Sequence, residues 1–516
     1  MSRTARPAAL TAFVVAALLL SGCSDAEPEE RSAETTRAAS SAPAADLPAP
    51  PPGLEDVYAQ EVAWEECGSR FDCTRVTVPL DYDEPDGEQI ELALKRHVTE
   101  DADTRLGSLL VNPGGPGGSG TSFVEAVGML FSEDLLAGYD VVGFDPRGVG
   151  ESDAIDCVSD VELDEIRSAE YDLDTDAGLA EYTAATEELA ASCAENTGEL
   201  LAHVDTVSAA RDLDVLRHVL GDPQLAYLGY SYGTLLGATY ADLFPENVGR
   251  LVLDGAVDPA LDSTGLVMGQ AVGFENALRA FVEDCLAGDD CPLSGDVDNA
   301  VGQVQDLLAM AESTPLPTGT DRELTVSLMA SGIILPLYED AYWPLLSSAL
   351  QAAMKDQDGS QLLLLADLGA ERELDGSYSS NAQEAFPAIN CLDYPVATDI
   401  EQMRAEAETL AELSPTFGSM LAFGDIACQT WPHPSDAERA PIAAEGAAPV
   451  VVIGTTGDPA TPYEWSVSMA DQLADAVLVT YEGQGHTAYG RSNDCITEAV
   501  DAYLLEGTLP PDGLTC

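Results

Sequence analysis

The segment Leu225-Ala-Tyr-Leu-Gly-Tyr-Ser-Tyr-Gly-Thr234 most limits the folds open to this chain, and it holds the only Gly-x-Ser-x-Gly in the sequence. Leu225 to Leu228 read as a short buried strand, and YGTLLGATYADLF reads as a helix leaving Ser231. A serine caught between them must sit on a sharp strand-to-helix turn, which flanking glycines allow without side-chain clashes. The helix start would also aim backbone N–H groups at the serine and favour negative charge developing there. With 44 glycines in 516 residues the bare pentapeptide is weak, so its surroundings must carry the argument.

Those surroundings alternate short apolar runs with helical patterns. CTRVTVPLDY and QIELALKRHV flank DEPDGE and read as an antiparallel hairpin. SLLV (108–111), VVGF (141–144), LAYL (225–228) and LVL (251–253) follow as buried strands, with helical patterns such as TVSAARDLDVLRHVLG between several of them. This alternation predicts a mostly parallel sheet. From 261 to 440 long helical runs dominate, and strand signals return with PVVVI (449–453) and VLVTY (477–481). The expected fold class is therefore α/β, with residues 56–260 and 441–516 forming one core and 261–440 inserted as a helical cap.

The chain opens MSRTARPAALTAFVVAALLLSGC: basic residues, a short apolar run, then Leu-Ser-Gly-Cys ending at Cys23. This is similar to the lipobox of bacterial lipoproteins and implies a signal peptide over 1–22, with lipidation of Cys23 and a membrane anchor. Residues 23–55 are rich in Pro, Ala and acid and read as a tether. The formal net charge of −70, from 91 acids against 21 bases, excludes polyanionic partners such as nucleic acid. Of eleven cysteines, ten remain after Cys23, an even number that suggests disulfides in an exported chain. They fall into neighbouring pairs: Cys67/Cys73, Cys157/Cys193, Cys285/Cys291, Cys391/Cys428 and Cys495/Cys516. No Cys-x-x-Cys occurs and the five histidines are scattered, so no metal is expected.

A nucleophilic serine needs a base. His486 alone among the five histidines follows a late strand on a glycine-rich loop, VLVTYEGQGHTAYG. Asp458, in GTTGDPATP after another strand, is the favoured orienting carboxylate, with Asp258 and Asp254 as rivals after LVL. NPGGPGGSG (112–120) supplies a glycine loop whose backbone N–H groups can approach a reacting oxygen, so Gly115 and Tyr232 are the expected oxyanion donors. The same loop matches Gly-x-Gly-x-x-Gly, but Pro116 lies inside it where a dinucleotide site needs a donor. DLDTDAG (172–178) opens like a calcium loop but has Ala177 at the turn glycine and Thr183 at the bidentate Glu.

Taken together, VNPGGPGGSG, VVGFDPRGVGES, LGYSYGTLLGATYADLFPENVGRLVLDGAVDP, TGDPATP and GQGHTAYG resemble the secreted actinobacterial tripeptidyl aminopeptidases, which are prolyl-aminopeptidase-type α/β-hydrolases. The stretch from about Ser414, including ACQTWP, resembles that family's end domain. The resemblance implies an α/β-hydrolase fold, Ser231 as nucleophile, His486 as base then acid, Asp458 as orienter and no cofactor. It further implies peptide substrates, bound through a free amino terminus by cap carboxylates, with Asp393 in INCLDYP the candidate. Asn112-Pro113 stands where prolyl aminopeptidases usually carry His before the turn, which favours the tripeptidyl type over proline specificity. The expected activity is an extracytoplasmic serine exopeptidase; a lipase or carboxylesterase and a catalytically silent peptide-binding lipoprotein are the alternatives.

Overall fold

Ten strands form one sheet in the computed structural model, which describes residues 47–99, 103–397, 399–435 and 437–516. The signal segment, Cys23 and most of the tether lie outside those residues. The strands are β1 (Glu65–Gly68), β2 (Phe71–Pro79), β3 (Gln89–His97), β4 (Gly107–Asn112), β5 (Tyr139–Phe144), β6 (Leu225–Tyr230), β7 (Val248–Asp254), β8 (Val450–Gly457), β9 (Ala476–Gln484) and β10 (Leu514–Thr515). Their order across the sheet is β1-β2-β3-β5-β4-β6-β7-β8-β9-β10. The β2/β3 hairpin and its two flanking pairings are antiparallel, and every pairing from β5 to β10 is parallel.

The apolar strand runs behave as a doubly covered sheet requires. Leu110, Val142, Leu251 and Val450 face one hydrophobic core, built with helices Thr206–Val219 and Tyr232–Leu243. Their neighbours Leu109, Val141, Val252 and Val451 face the other, under helices Gly120–Leu130 and Asp494–Glu506. Every residue of β4 and β5 is buried, so these strands show no alternation of apolar and polar. The edge strands β1 and β10 are short and weakly apolar, so neither shows a strand pattern in the sequence.

Between β7 and β8 the chain leaves the sheet and builds helices from Ser263 to Gln429 around a core of their own. A second excursion joins them. Helices Asp160–Ser168 and Asp176–Thr197, between β5 and β6, were expected to belong to the core half. Instead Leu179 packs with Met403, Leu410, Phe423 and Ile426 of the insertion. Arg372 pairs with Asp164 at 2.7 Å, and Arg167 with Asp367 at 3.4 Å. The cap thus has two pieces. An amphipathic pattern tells a helix to bury one face but not which surface will cover it.

All ten cysteines of the described residues are bridged in the five expected pairs: Cys67–Cys73, Cys157–Cys193, Cys285–Cys291, Cys391–Cys428 and Cys495–Cys516. The chain end does more than carry its bridge: Leu514–Thr515 form the edge strand β10, and the Cys516 N–H donates to the Thr480 carbonyl on β9 at 2.8 Å. The last residue is thus held twice, by the bridge to the helix Asp494–Glu506 and by the sheet. A strand of two residues has no period to read, so the sequence carried no sign of it.

The DPRGVGES motif also finds its place. Arg147 is fully buried and spends its donors on both Asp212 oxygens (2.7 and 2.7 Å) and on the carbonyls of Pro79, Leu80 and His203. Asp145 accepts from Ser119 Oγ, Thr121 N and Oγ1, and Glu151 N, anchoring the glycine loop's helix.

Candidate active site

Ser231 stands where β6 ends and the helix Tyr232–Leu243 begins, with φ 54° and ψ −123°. That left-handed backbone costs a non-glycine residue on the order of 1–3 kcal/mol and is held only by its surroundings. The two glycines explain how the turn closes. A Cβ on Gly229 would lie 2.3 Å from the Gly233 carbonyl oxygen, and one on Gly233 would lie 2.8 Å from the Asn112 carbonyl oxygen. The elbow is tied down from β7: the Ser231 N–H donates to the Asp254 carbonyl at 2.9 Å.

His486 reaches this turn on the loop after β9. A Cβ placed on Gly255, the residue after Asp254, would come within 3.4 Å of His486 Cε1. Asp458, at the end of β8, holds the ring: His486 Nδ1 lies 2.9 Å from each of its oxygens. Asp458 is wholly buried and accepts further from Ala460 N, Thr461 N and Thr487 N. A carboxylate so fixed assigns the Nδ1 position to the proton and leaves Nε2 as an acceptor. The rival acids are otherwise engaged. Asp258 accepts from Ala260 N and Gln472 Nε2, while Asp254 accepts from the amides of Ala488 and Tyr489.

The glycine loop closes the third side. A Cβ on Gly114 would sit 2.8 Å from Ser231 Cβ and 3.3 Å from the Tyr232 nitrogen, so the loop lies directly against the elbow. Gly114 itself donates to Asn112 Oδ1 at 2.9 Å. Among the described residues, neither the Gly115 nor the Tyr232 N–H has a protein acceptor. Two unengaged donors beside a strained serine can take a developing oxyanion.

Asp393 requires a correction. It ends the helix Ala382–Asp393 at 5% exposure, and its oxygens accept from Thr206 N (2.8 Å) and Thr206 Oγ1 (2.5 Å). Burial pushes its carboxyl up to about 7, against the lowering effect of the Thr206 donors. Thr206 Oγ1 in turn meets the Tyr232 hydroxyl at 2.6 Å, so Asp393 braces the elbow helix from inside. At 5% exposure, with an oxygen turned to each Thr206 donor, this carboxylate is closed off from a substrate ammonium.

Two contacts were not legible beforehand. The cap residue Tyr338 accepts the His486 N–H on its carbonyl at 2.7 Å, and the two rings meet edge-on at 5.5 Å. Arg491 grips the carbonyls of Gln484, His486 and Thr487 from below the loop. Tyr338 carried no signal, since an aromatic at a helix end reads as packing; Arg491 sits five residues past the histidine, an arginine in a chain with few cations.

Comparison with known proteins places the chain among relatives of similar length. Residues 414–516 match the family described as TAP-like protein. The match runs to Cys516 but starts before 441, so it takes in residues on both sides of the boundary expected between cap and core. The chain is 38% identical over 485 residues to serine protease Hip1 of Mycobacterium tuberculosis, spanning 90% of this chain and 92% of that one. Carboxylesterase B of the same species is 37% identical over 482 residues (89% and 91%). Tripeptidyl aminopeptidase of Streptomyces coelicolor is 32% identical over 472 residues (88% and 86%).

Proposed function

Because this chain belongs to the α/β-hydrolase family of serine hydrolases and peptidases that includes Hip1 and the tripeptidyl aminopeptidases, we propose that it is an exported exopeptidase releasing short units from free peptide N-termini. The observation that carries the reading is the strained Ser231 beside a histidine whose Nδ1 is held by both oxygens of Asp458. Ser231 Oγ attacks the scissile carbonyl carbon as its proton passes to His486 Nε2. The oxyanion is met by the N–H groups of Gly115 and Tyr232. When the C–N bond breaks, His486 gives that proton to the departing amine. Water then enters, activated by the same nitrogen, and frees the acyl group from Ser231.

The cap accounts for the exopeptidase step. Tyr338 stands over His486, and the next two residues are the acids Glu339 and Asp340, half-exposed and exposed. We assign them, in place of Asp393, as the carboxylates that meet the substrate ammonium. Export is supported by the signal-like leader and by five disulfides, which persist in oxidising compartments; the Cys23 anchor belongs to this proposal.

The 37% identity to carboxylesterase B favours a second reading, esterase activity by the same residues. Comparing kcat/KM for a tripeptide anilide with that for a short acyl ester separates the two. The peptidase reading expects efficient anilide turnover that falls steeply in Glu339→Gln/Asp340→Asn, with the ester little changed. Ester turnover with no detectable anilide cleavage would replace it by the esterase.

A further inference from the structure

Asp254 is a buried carboxylate with no ion-pair partner among the described residues, placed at the end of β7 one strand away from Asp458. Its oxygens take the N–H of Ala488 at 3.0 and 3.0 Å and the N–H of Tyr489 at 2.7 Å. The amide before these two, Thr487 N, goes to Asp458 Oδ2 at 3.0 Å. Three successive N–H groups behind His486 are therefore captured by two carboxylates on adjacent strands. The backbone of Asp254 does separate work: its carbonyl accepts the Ser231 N–H at 2.9 Å. One residue thus holds the nucleophile turn with its main chain and the histidine loop with its side chain.

We infer that Asp254 is a positioning residue that sets the distance between Ser231 and His486. The inference rests on the reading of these two residues as nucleophile and base. Charge-assisted bonds from a buried carboxylate to two amides are roughly twice as strong as neutral ones, and they fix the loop against β7. An asparagine in the same place keeps the shape but loses the charge, and it turns an N–H toward one of the amides. The loop then shifts, and a displacement near 1 Å between reacting groups costs on the order of 10²-fold in rate.

Burial pushes the Asp254 carboxyl up to about 6, with the two loop amides and the charges of Arg491 and His486 opposing that rise. The other titratable groups around it are the Tyr230 phenol at the end of β6 and Asp458 across the loop. As pH falls through this value the carboxylate is protonated and releases one amide. Loss of the clamp therefore slows the reaction on the acid side.

The test is the rate at which a fluorophosphonate labels Ser231, together with kcat and KM on a peptide, in wild type and Asp254→Asn. The expected result is labelling and kcat lowered by about 10- to 100-fold with KM within about twofold. Asp254→Asn labelled at the wild-type rate, or a change confined to KM, overturns the inference and leaves the serine hydrolase standing. An unlabelled wild type overturns both. Should the variant not fold, the wild-type labelling rate against pH decides: an acid limb that steepens beyond a slope of one just below about pH 6 supports the clamp, and a slope that never exceeds one refutes it.

Discussion

Ser231, His486 and Asp458 are brought together by the ends of three strands, β6, β9 and β8, and each is fixed by backbone contacts as well as by the others. Alanine at Ser231 or His486 is expected to lower kcat by about 10⁴-fold or more, and Asp458→Ala somewhat less, with unchanged far-UV circular dichroism. The double variant Ser231→Ala/His486→Ala should lose no more than either alone, because the residues act as one unit. Additive losses measured by steady-state kinetics would contradict that. These three were readable in the sequence because chemistry demanded them at strand ends. Asp393 was misread for a physical reason: a carboxylate in a cap helix looks alike whether it faces a cleft or, as here, Thr206. Its folded-state pKa is raised, from 3.8 to about 7, so its proton favours the folded chain at low pH and that contribution fades as pH climbs through this window. Asparagine cannot ionise. The difference in Tm, Asp393→Asn minus wild type, should therefore grow from about pH 5 to about pH 8. Both peptide and ester turnover should respond alike; a loss selective for free-amine peptides would restore Asp393 to the substrate site.

At the scale of elements, the strands and the elbow helix were legible because apolar runs of three to five residues bounded by turn residues have few other uses. The two-piece cap was not, because nothing local says that the helix Asp176–Thr197 packs on Met403 and Phe423. Each piece carries a long disulfide loop of its own: Cys157–Cys193 and Cys391–Cys428 close loops with separations of 36 and 37 residues, whereas Cys67–Cys73 and Cys285–Cys291 each close 6. Chain-entropy reasoning gives the long pair about 4 kcal/mol each and the short pair about 2. Replacing Cys391 and Cys428 by serine should lower the denaturation midpoint more than replacing Cys67 and Cys73. Equal shifts in urea titrations would show that loop length is not what these bridges supply. Arg147 belongs to the same scale, since it joins β2, the β5 loop and the helix Thr206–Val219. Arg147→Ala leaves Asp212 buried without its partner, and about 3–5 kcal/mol of stability should go with it, as read by the same titrations.

The whole molecule carries a formal net charge of −70, a repulsion that the folded state concentrates and the unfolded chain relaxes. Raising sodium chloride from about 10 mM to about 1 M shortens the screening length from about 30 to about 3 Å, so Tm should rise. A flat Tm would mean that the acids are already neutralised by bound counterions. That same charge favours cationic substrate ends near the cleft, which leads to the central claim, that the enzyme works from a free, protonated amino terminus. The most direct measurement is kcat/KM for one peptide with its N-terminus free and acetylated, with products identified by mass spectrometry. The expected result is release of short N-terminal fragments from the free peptide and at least about 10²-fold slower cleavage of the acetylated one, the loss of about 3 kcal/mol of ion pairing. Equal cleavage of both peptides, or cuts at internal bonds in either, would contradict it.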